Sequence, residues 1–340
     1  MNKGSHPMNN MTWLLRREFW ENKGSFFWAP AVVALVLFTF VAGSVAYAFA
    51  SHGGIGGIGG SIVVDGHTVS KAGQLAALPL SAQTEIASVI ANTYMAAALP
   101  LFGLLPLVVF FYCLAALYDE RRDRSILFWK SLPVSDQMTV LSKVLTALFV
   151  APLIAIAIGT AVSLLMLFFS LAVAAQAGLN LIGPVLSQQA FFLAPFRLIG
   201  LLPVYMLWAI PTVGWLLLVS AWARSKVLVW AVGVPVLLVV LARWADYLLA
   251  QFGNVNAALY PFVVDVAARV LAGLVPGIWA TYGDVTAVTM AASGKRTVDA
   301  GVLFEQSWMT LLQPGMWAGV AVGAAMIYAA MRLRRYRDEG

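Results

Sequence analysis

The chain has 340 residues, of which 61% are hydrophobic and 11% charged, and its mean hydropathy is +0.85. The surface of a small soluble domain carries roughly 25–35% charged residues, so this composition excludes an ordinary soluble protein. The net charge of +6 does not indicate a nucleic-acid partner, because the basic residues flank apolar runs instead of forming a basic face with interleaved aromatics.

Six segments are long enough to cross a bilayer, which takes about 20 mostly apolar residues. In chain order they are Phe27–Ala50, Tyr94–Leu117, Val144–Ala175, Leu198–Trp222, Val227–Leu249 and Gly315–Met331. We therefore predict an all-α polytopic membrane protein with six transmembrane helices, forming a single transmembrane domain over residues 1–340. The lipid bilayer is its first expected partner.

The stretch before span one, MTWLLRREFWENKG, alternates apolar and charged residues at helical spacing. Trp13 and Trp20 can share one face of a helix while Arg16 and Arg17 stay in water. This pattern predicts an interfacial elbow helix over residues 10–25, lying along the inner leaflet. The stretch lacks the short apolar core and cleavage site of a signal peptide.

Lysine and arginine placement sets the expected orientation. With the N-terminus inside, 15 of the 21 basic residues fall on the cytoplasmic side. Both termini are then cytoplasmic, and residues 51–93 and 250–314 form outer loops.

The outer loops carry their own local patterns. The run IVVDGHTV predicts a hairpin that turns at Asp65 and Gly66, and Ser81 is expected to cap a helix leading into span two. Within residues 250–314, the run YPFVVDVAARVLAGLVPGIWATYG is apolar but is interrupted by Asp265, Arg269 and Pro276, which favours re-entrant outer helices before span six over a seventh span.

Ionisable groups that could drive transport are scarce in the predicted spans. Arg243 and Asp246, near the outer end of span five, are the candidates, and their spacing favours a local ion pair. The histidines stand in tails or loops, so no metal site is expected, and Cys113 has no intrachain disulfide partner. The sequence contains no Walker loop, so we expect no ATPase activity, and no enzyme activity, from this chain.

The cytoplasmic loop at residues 118–136 combines eight charges with large apolar side chains. Its charges are expected to keep the end of span two in water and to pair among themselves. The run SILFWKS predicts a short helix that Pro133 ends, and Ser135 is placed to cap the next helix with Asp136 in its first turn. A solvated loop beside the membrane is the alternative on physical grounds.

The run ERRDRSILFWKSLPVS resembles the inner-loop signature of type-2 ATP-binding cassette (ABC) exporter permeases. Glu120, Arg121, Pro133, Val134 and Ser135 match in register, and Ser125 stands where threonine is usual. The chain departs from the family pattern at Arg124, where glycine is usual, and at Leu127, where glutamate is common. The resemblance implies a coupling helix at about 124–132 that docks on an ATPase, with these contact residues: Glu120, Arg124, Ser125, Ile126, Phe128, Trp129, Lys130, Leu132 and Pro133.

The resemblance further implies a bacterial inner-membrane permease that exports an amphipathic or lipid-like substrate. ATP and Mg would bind a separate ATPase subunit, and this chain would bind no cofactor. A second permease copy, identical or similar, would complete the dimer. The alternatives are a permease-like subunit of an ABC assembly that does mechanical work, and a non-transport membrane scaffold.

Gly315, Gly319 and Gly323 repeat at four-residue spacing in span six. Such glycines permit close helix contact. Packing within the chain and a subunit interface are both open interpretations.

Overall fold

The computed structural model describes residues 7–52, 62–64, 67–69, 79–123, 135–176, 178–253, 258–282, 288–290 and 296–336. Within these ranges, six helical segments are long and apolar enough to cross a membrane. We number these spans one to six: Gly24–Tyr47, Leu80–Arg122, Asp136–Gln176, Gln189–Trp222, Val227–Phe252 and Pro314–Tyr336. All six overlap the predicted spans, so the chain is a multi-pass membrane protein with a helical fold.

Most spans combine several helical elements. The first half contains α1 (Pro7–Glu21), a π-turn (Gly24–Trp28), α2 (Ala29–His52), α3 (Leu80–Thr93), a 3₁₀ turn (Tyr94–Ala98), α4 (Leu99–Arg122), α5 (Asp136–Leu145), a π-turn (Thr146–Val150) and α6 (Ala151–Gln176). The second half contains α7 (Ile182–Leu186), α8 (Gln189–Gly200), α9 (Leu202–Trp222), α10 (Val227–Leu248), a π-turn (Leu249–Gly253), α11 (Leu259–Ala272), a 3₁₀ turn (Ile278–Thr281), α12 (Ala300–Met309), a 3₁₀ turn (Thr310–Leu312) and α13 (Pro314–Tyr336).

Two small hairpins lie in the connections between spans. Strand β1 (Ile62–Val64) pairs antiparallel with β2 (His67–Val69), and Val64 faces His67 across a two-residue connection. The predicted hairpin therefore forms, although its turn residues lie outside the described ranges. A second pair, β3 (Val288–Met290) and β4 (Arg296–Val298), precedes α12 and was not predicted.

Local capping explains where several helices begin. Ser135 is the N-cap of α5, and its hydroxyl accepts a hydrogen bond from the amide of Met138 at 3.2 Å, as its sequence position predicts. The predicted cap at Ser81 is wrong. Helix α3 begins two residues earlier than predicted, with Pro79 as its N-cap, because proline fixes φ and needs no amide partner.

The core is built around α9, the most buried of the spans. Helix α9 packs against α13 on one side and α4 on another. Trp208, on α9, is only 1% exposed and stacks on Tyr282. By contrast, α2 and α10 expose large apolar side chains along most of their length, as expected for helices that face lipid.

A candidate functional site: the buried ionic cluster

The ends of several helices meet at one end of the bundle, which we call the charged end. They are the C-terminal ends of α1, α4, α9 and α13 and the N-terminal end of α5. Charged side chains are buried there although the chain is poor in charge. These charges form the strongest candidate site among the described residues.

Lys143 on α5 joins two carboxylates from other helices. Its ammonium lies 2.9 Å from Oε1 of Glu18 on α1 and 3.0 Å from Oε1 of Glu120 on α4. Lys143 is 3% exposed and Glu18 is 1% exposed. The second oxygen of Glu18 accepts a hydrogen bond from the Tyr112 hydroxyl at 2.8 Å. Three helices are therefore held together by one buried ammonium group.

Arg334 on α13 brings a fourth helix into the same network. Its Nη1 donates to Oε2 of Glu120, and its Nε lies 3.1 Å from Oδ1 of Asp136 on α5. Arg17 on α1 adds a further contact, with Nη2 3.7 Å from Oε1 of Glu120. Glu120 thus lies at the centre of the network.

We call these six residues the ionic cluster: Arg17, Glu18, Glu120, Asp136, Lys143 and Arg334. Its three carboxylates and three cations balance, so the cluster has no net formal charge. Removing a charge from water costs several kcal/mol, and partners offset that cost only with good geometry. Any helix movement that separates one charge from its partners leaves a buried charge uncompensated. The cluster therefore favours one arrangement of the four helices.

A second set of buried polar contacts joins α4 to α9 beside the ionic cluster. Arg121 donates from Nη2 to the carbonyl oxygens of Ser220 at 2.5 Å and Ala223 at 3.0 Å. The Ser220 hydroxyl donates to the carbonyl of Leu114 at 2.7 Å and accepts from the amide of Leu117 at 3.1 Å. The end of span two is consequently fixed to the end of span four.

These contacts correct one expectation about the charges of the 118–136 loop. The charges of the 118–136 loop were expected to lie in water, yet Glu120 is 9% and Arg121 is 7% exposed. Arg122 does behave as predicted, because it is exposed and pairs with Asp119 and Asp123.

Helix α1 also presents a different face from the predicted one. Leu14 and Glu18 form its buried face, and the Arg17 side chain is only 11% exposed instead of lying in water. Trp13 and Trp20 are exposed. The spacing of Leu14 and Glu18, one helical turn apart, is the signal that could have indicated this face. Whether the tryptophans lie in a leaflet stays a prediction.

The cluster brackets the predicted coupling segment. Glu120 precedes that segment, whereas Asp136 and Lys143 follow it. The other predicted contact residues lie outside the described ranges: Arg124, Ser125, Ile126, Phe128, Trp129, Lys130, Leu132 and Pro133. A cleft of about 290 Å³ opens beside the cluster between α1 and the end of α4.

The span-six glycines lie in different environments. A Cβ on Gly323 would lie 2.8 Å from the carbonyl oxygen of Ile210, so α13 and α9 are in backbone contact there. A Cβ on Gly319 would lie 2.6 Å from the guanidinium carbon of Arg269, whereas Gly315 has open space. Gly319 and Gly323 therefore pack against other parts of the same chain.

Arg269 on α11 holds the start of span six at the opposite end of the bundle. It donates to the carbonyl of Gly315 at 2.6 Å and of Met316 at 2.9 Å, and it lies 4.5 Å from the ring centroid of Trp208. Burial lowers the pKa of its guanidinium, yet arginine stays charged in proteins. The contact helps to fix α11 against spans four and six.

The predicted Arg243–Asp246 ion pair does not form among the described residues. Asp246 instead accepts hydrogen bonds from the amides of Leu259 at 3.1 Å and Tyr260 at 2.8 Å. Arg243 lies over the Tyr260 ring at 5.0 Å from its centroid. Asp246 binds the start of α11 because the first amides of a helix need acceptors, whereas Arg243 contacts α11 through the Tyr260 ring.

No group of three or more histidine, cysteine, aspartate or glutamate side chains suitable for a metal ion occurs within the described ranges. Comparisons with protein-family models, with curated proteins and with solved structures gave no match. The fold defines the class of the chain as a multi-pass membrane protein with six candidate spans.

Proposed function

We propose that this chain is the permease subunit of a type-2 ABC exporter in a bacterial inner membrane, with its charged end facing the cytoplasm. Residues 118–136 would be the coupling loop that contacts a separate ATPase. The ionic cluster is the observation that carries this proposal. The cluster holds both ends of the segment that resembles the family signature, through Glu120 before it and Asp136 after it.

A loop that transmits force needs stiff connections to the helices that must move. Glu120 joins the start of the loop to Lys143 and Arg334, and Asp136 joins its end to Arg334. Because breaking a buried ion pair is costly, displacement of the loop is passed to spans two, three and six and to α1.

The matched residues of the signature fit this role individually. Glu120 is the residue at the centre of the ionic cluster, and Arg121 is bound to the end of span four. Ser135 caps the helix that leads into span three. Three of the five matching positions thus serve to fix the loop ends.

The energy source and substrate follow from the family resemblance. ATP and Mg would bind the separate ATPase, and closure of an ATPase pair would push on the segment from Arg124 to Leu132. The permease would act as a dimer with a second copy or a similar chain. An amphipathic or lipid-like substrate would move outward along the dimer axis.

Co-purification with an ATPase that carries Walker A and ABC signature motifs tests the proposal. Phe128→Ala with Trp129→Ala should abolish ATPase binding, because large aromatic side chains often anchor interfaces. The matched control is Phe252→Ala with Trp317→Ala, an exposed phenylalanine–tryptophan pair at the opposite end, which should retain the ATPase.

Unchanged ATPase binding and unchanged ATP-dependent activity in the Phe128/Trp129 variant would contradict the coupling assignment. Partners that bind equally with and without ATP would instead indicate a scaffold.

A further inference from the structure

A second cleft at the charged end lies beside the ionic cluster and shares one residue with it, Asp136. It measures about 660 Å³ and opens between the first residues of α5 and the last turns of α13. Its described lining residues are Ser135, Asp136, Gln137, Tyr328, Met331, Arg332 and Arg335. The proposed coupling role does not use this cleft.

The arginines at the end of α13 divide between two environments. Arg334 is 4% exposed and belongs to the ionic cluster. Arg332 and Arg335 are exposed on the other side of the helix. The Nε of Arg332 lies 2.9 Å from the Tyr328 hydroxyl, and Arg335 lies over the Tyr336 ring. Neither arginine pairs with a carboxylate among the described residues, so their charge is available for an anion.

Asp136 is the described acidic residue in the wall of this cleft. Its carboxylate is engaged by Arg334, with Oδ1 3.1 Å from Nε. Asp136 is therefore compensated from within the cluster, whereas two guanidinium groups face the opening. The cleft has a positive balance of charge.

An apolar stripe leads along α13 to these arginines. Ala321, Ala325, Tyr328, Arg332 and Arg335 follow one another at spacings of four and three residues, and all five are exposed. Such spacing places them on one side of the helix. Apolar groups facing the membrane thus give way to two cations where the span ends.

We propose that this cleft binds the headgroup of an anionic phospholipid, with an acyl chain along the exposed stripe of α13. Arginine matches phosphate geometry because its planar fork can donate two parallel hydrogen bonds. Basic pockets between spans are suited to lipid headgroups. The continuous apolar stripe favours a membrane lipid over a soluble phosphate compound.

Native mass spectrometry of the detergent-purified chain tests this lipid site, using equimolar phosphatidylglycerol and phosphatidylcholine. Wild type should retain phosphatidylglycerol preferentially. Arg332→Gln with Arg335→Gln should weaken that retention about fivefold for each arginine, since one basic side chain at an anionic surface contributes about 1 kcal/mol.

The control removes two charges elsewhere at the same end. Arg224→Gln with Lys226→Asn changes two exposed residues, and asparagine tolerates the positive φ of 50° at position 226. This variant should keep the phosphatidylglycerol preference. A third variant, Gln137→Glu, retains every arginine and adds a carboxylate to the cleft, so it should weaken retention.

Equal lipid retention by the Arg332/Arg335 variant and the control would overturn the lipid site. Displacement of phosphatidylglycerol by inorganic phosphate at the same concentration would also overturn it, because the site would then be a phosphate site. The experiment needs no ATPase, so its failure leaves the proposed coupling role standing.

Discussion

Replacing Lys143 by methionine should destabilise the folded protein more than any single exposed charge change. The ammonium of Lys143 lies 2.9 Å from Glu18 and 3.0 Å from Glu120. Glu120 keeps Arg334 in the variant, whereas Glu18, at 1% exposed, keeps the Tyr112 hydroxyl. Removing one partner of a buried ion pair costs about 3–5 kcal/mol.

Thermal unfolding of the purified chain in detergent, followed by tryptophan fluorescence, measures this loss. A cost of that size should lower the apparent Tm by roughly 4–7 °C in a chain of 340 residues, because the entropy of unfolding grows with chain length. Lys23→Met is the matched control, because Lys23 is exposed and surface changes usually stay within about 0.5 kcal/mol.

A double variant separates the ion pair from simple loss of a side chain. Glu18→Gln with Lys143→Met removes both charges, so it should recover much of the Tm lost in Lys143→Met alone. An unfolding temperature for Lys143→Met equal to that of Lys23→Met would refute the argument. Simple addition of the Glu18 and Lys143 effects would refute it as well.

Two further substitutions test packing and capping at other sites. Gly323→Ala should cost about 1–3 kcal/mol of folding free energy through overpacking, because its methyl group would lie 2.8 Å from the Ile210 carbonyl oxygen. Its control, Gly315→Ala, places the methyl group in open space and should leave the Tm unchanged. Asp246→Ala should cost about 1 kcal/mol as a lost helix cap and speed hydrogen exchange at the first amides of α11, whereas Asp265→Ala, at an exposed position, should not. Equal effects within either pair would contradict the corresponding contact.

The spans could be predicted from the sequence because bilayer thickness sets a minimum apolar length. The cap at Ser135 was also predictable, since serine before an acidic first turn is a local signal. The ionic cluster was not predictable in this way. Glu18 and Lys143 are separated by 125 residues, and each lies in a stretch where a surface charge is the ordinary expectation.

Local spacing was misleading where a tertiary partner competed. Arg243 and Asp246 stand three residues apart, which favours a pair, but both side chains contact the start of α11 instead. Unpaired amides at a helix start bind a carboxylate strongly. Arg269 likewise finds its partners in another helix, the carbonyls at the start of span six.

Site-specific photo-cross-linking identifies the protein that contacts residues 124–132 in the membrane. A photoreactive amino acid would replace Trp129 in the proposed coupling segment, or Trp317 at the opposite end as the control, in the native membrane. We expect position 129, and not position 317, to cross-link to an ATPase with Walker A and ABC signature motifs. Absence of that ATPase from the products at position 129, or equal labelling from position 317, would contradict a coupling role for residues 124–132.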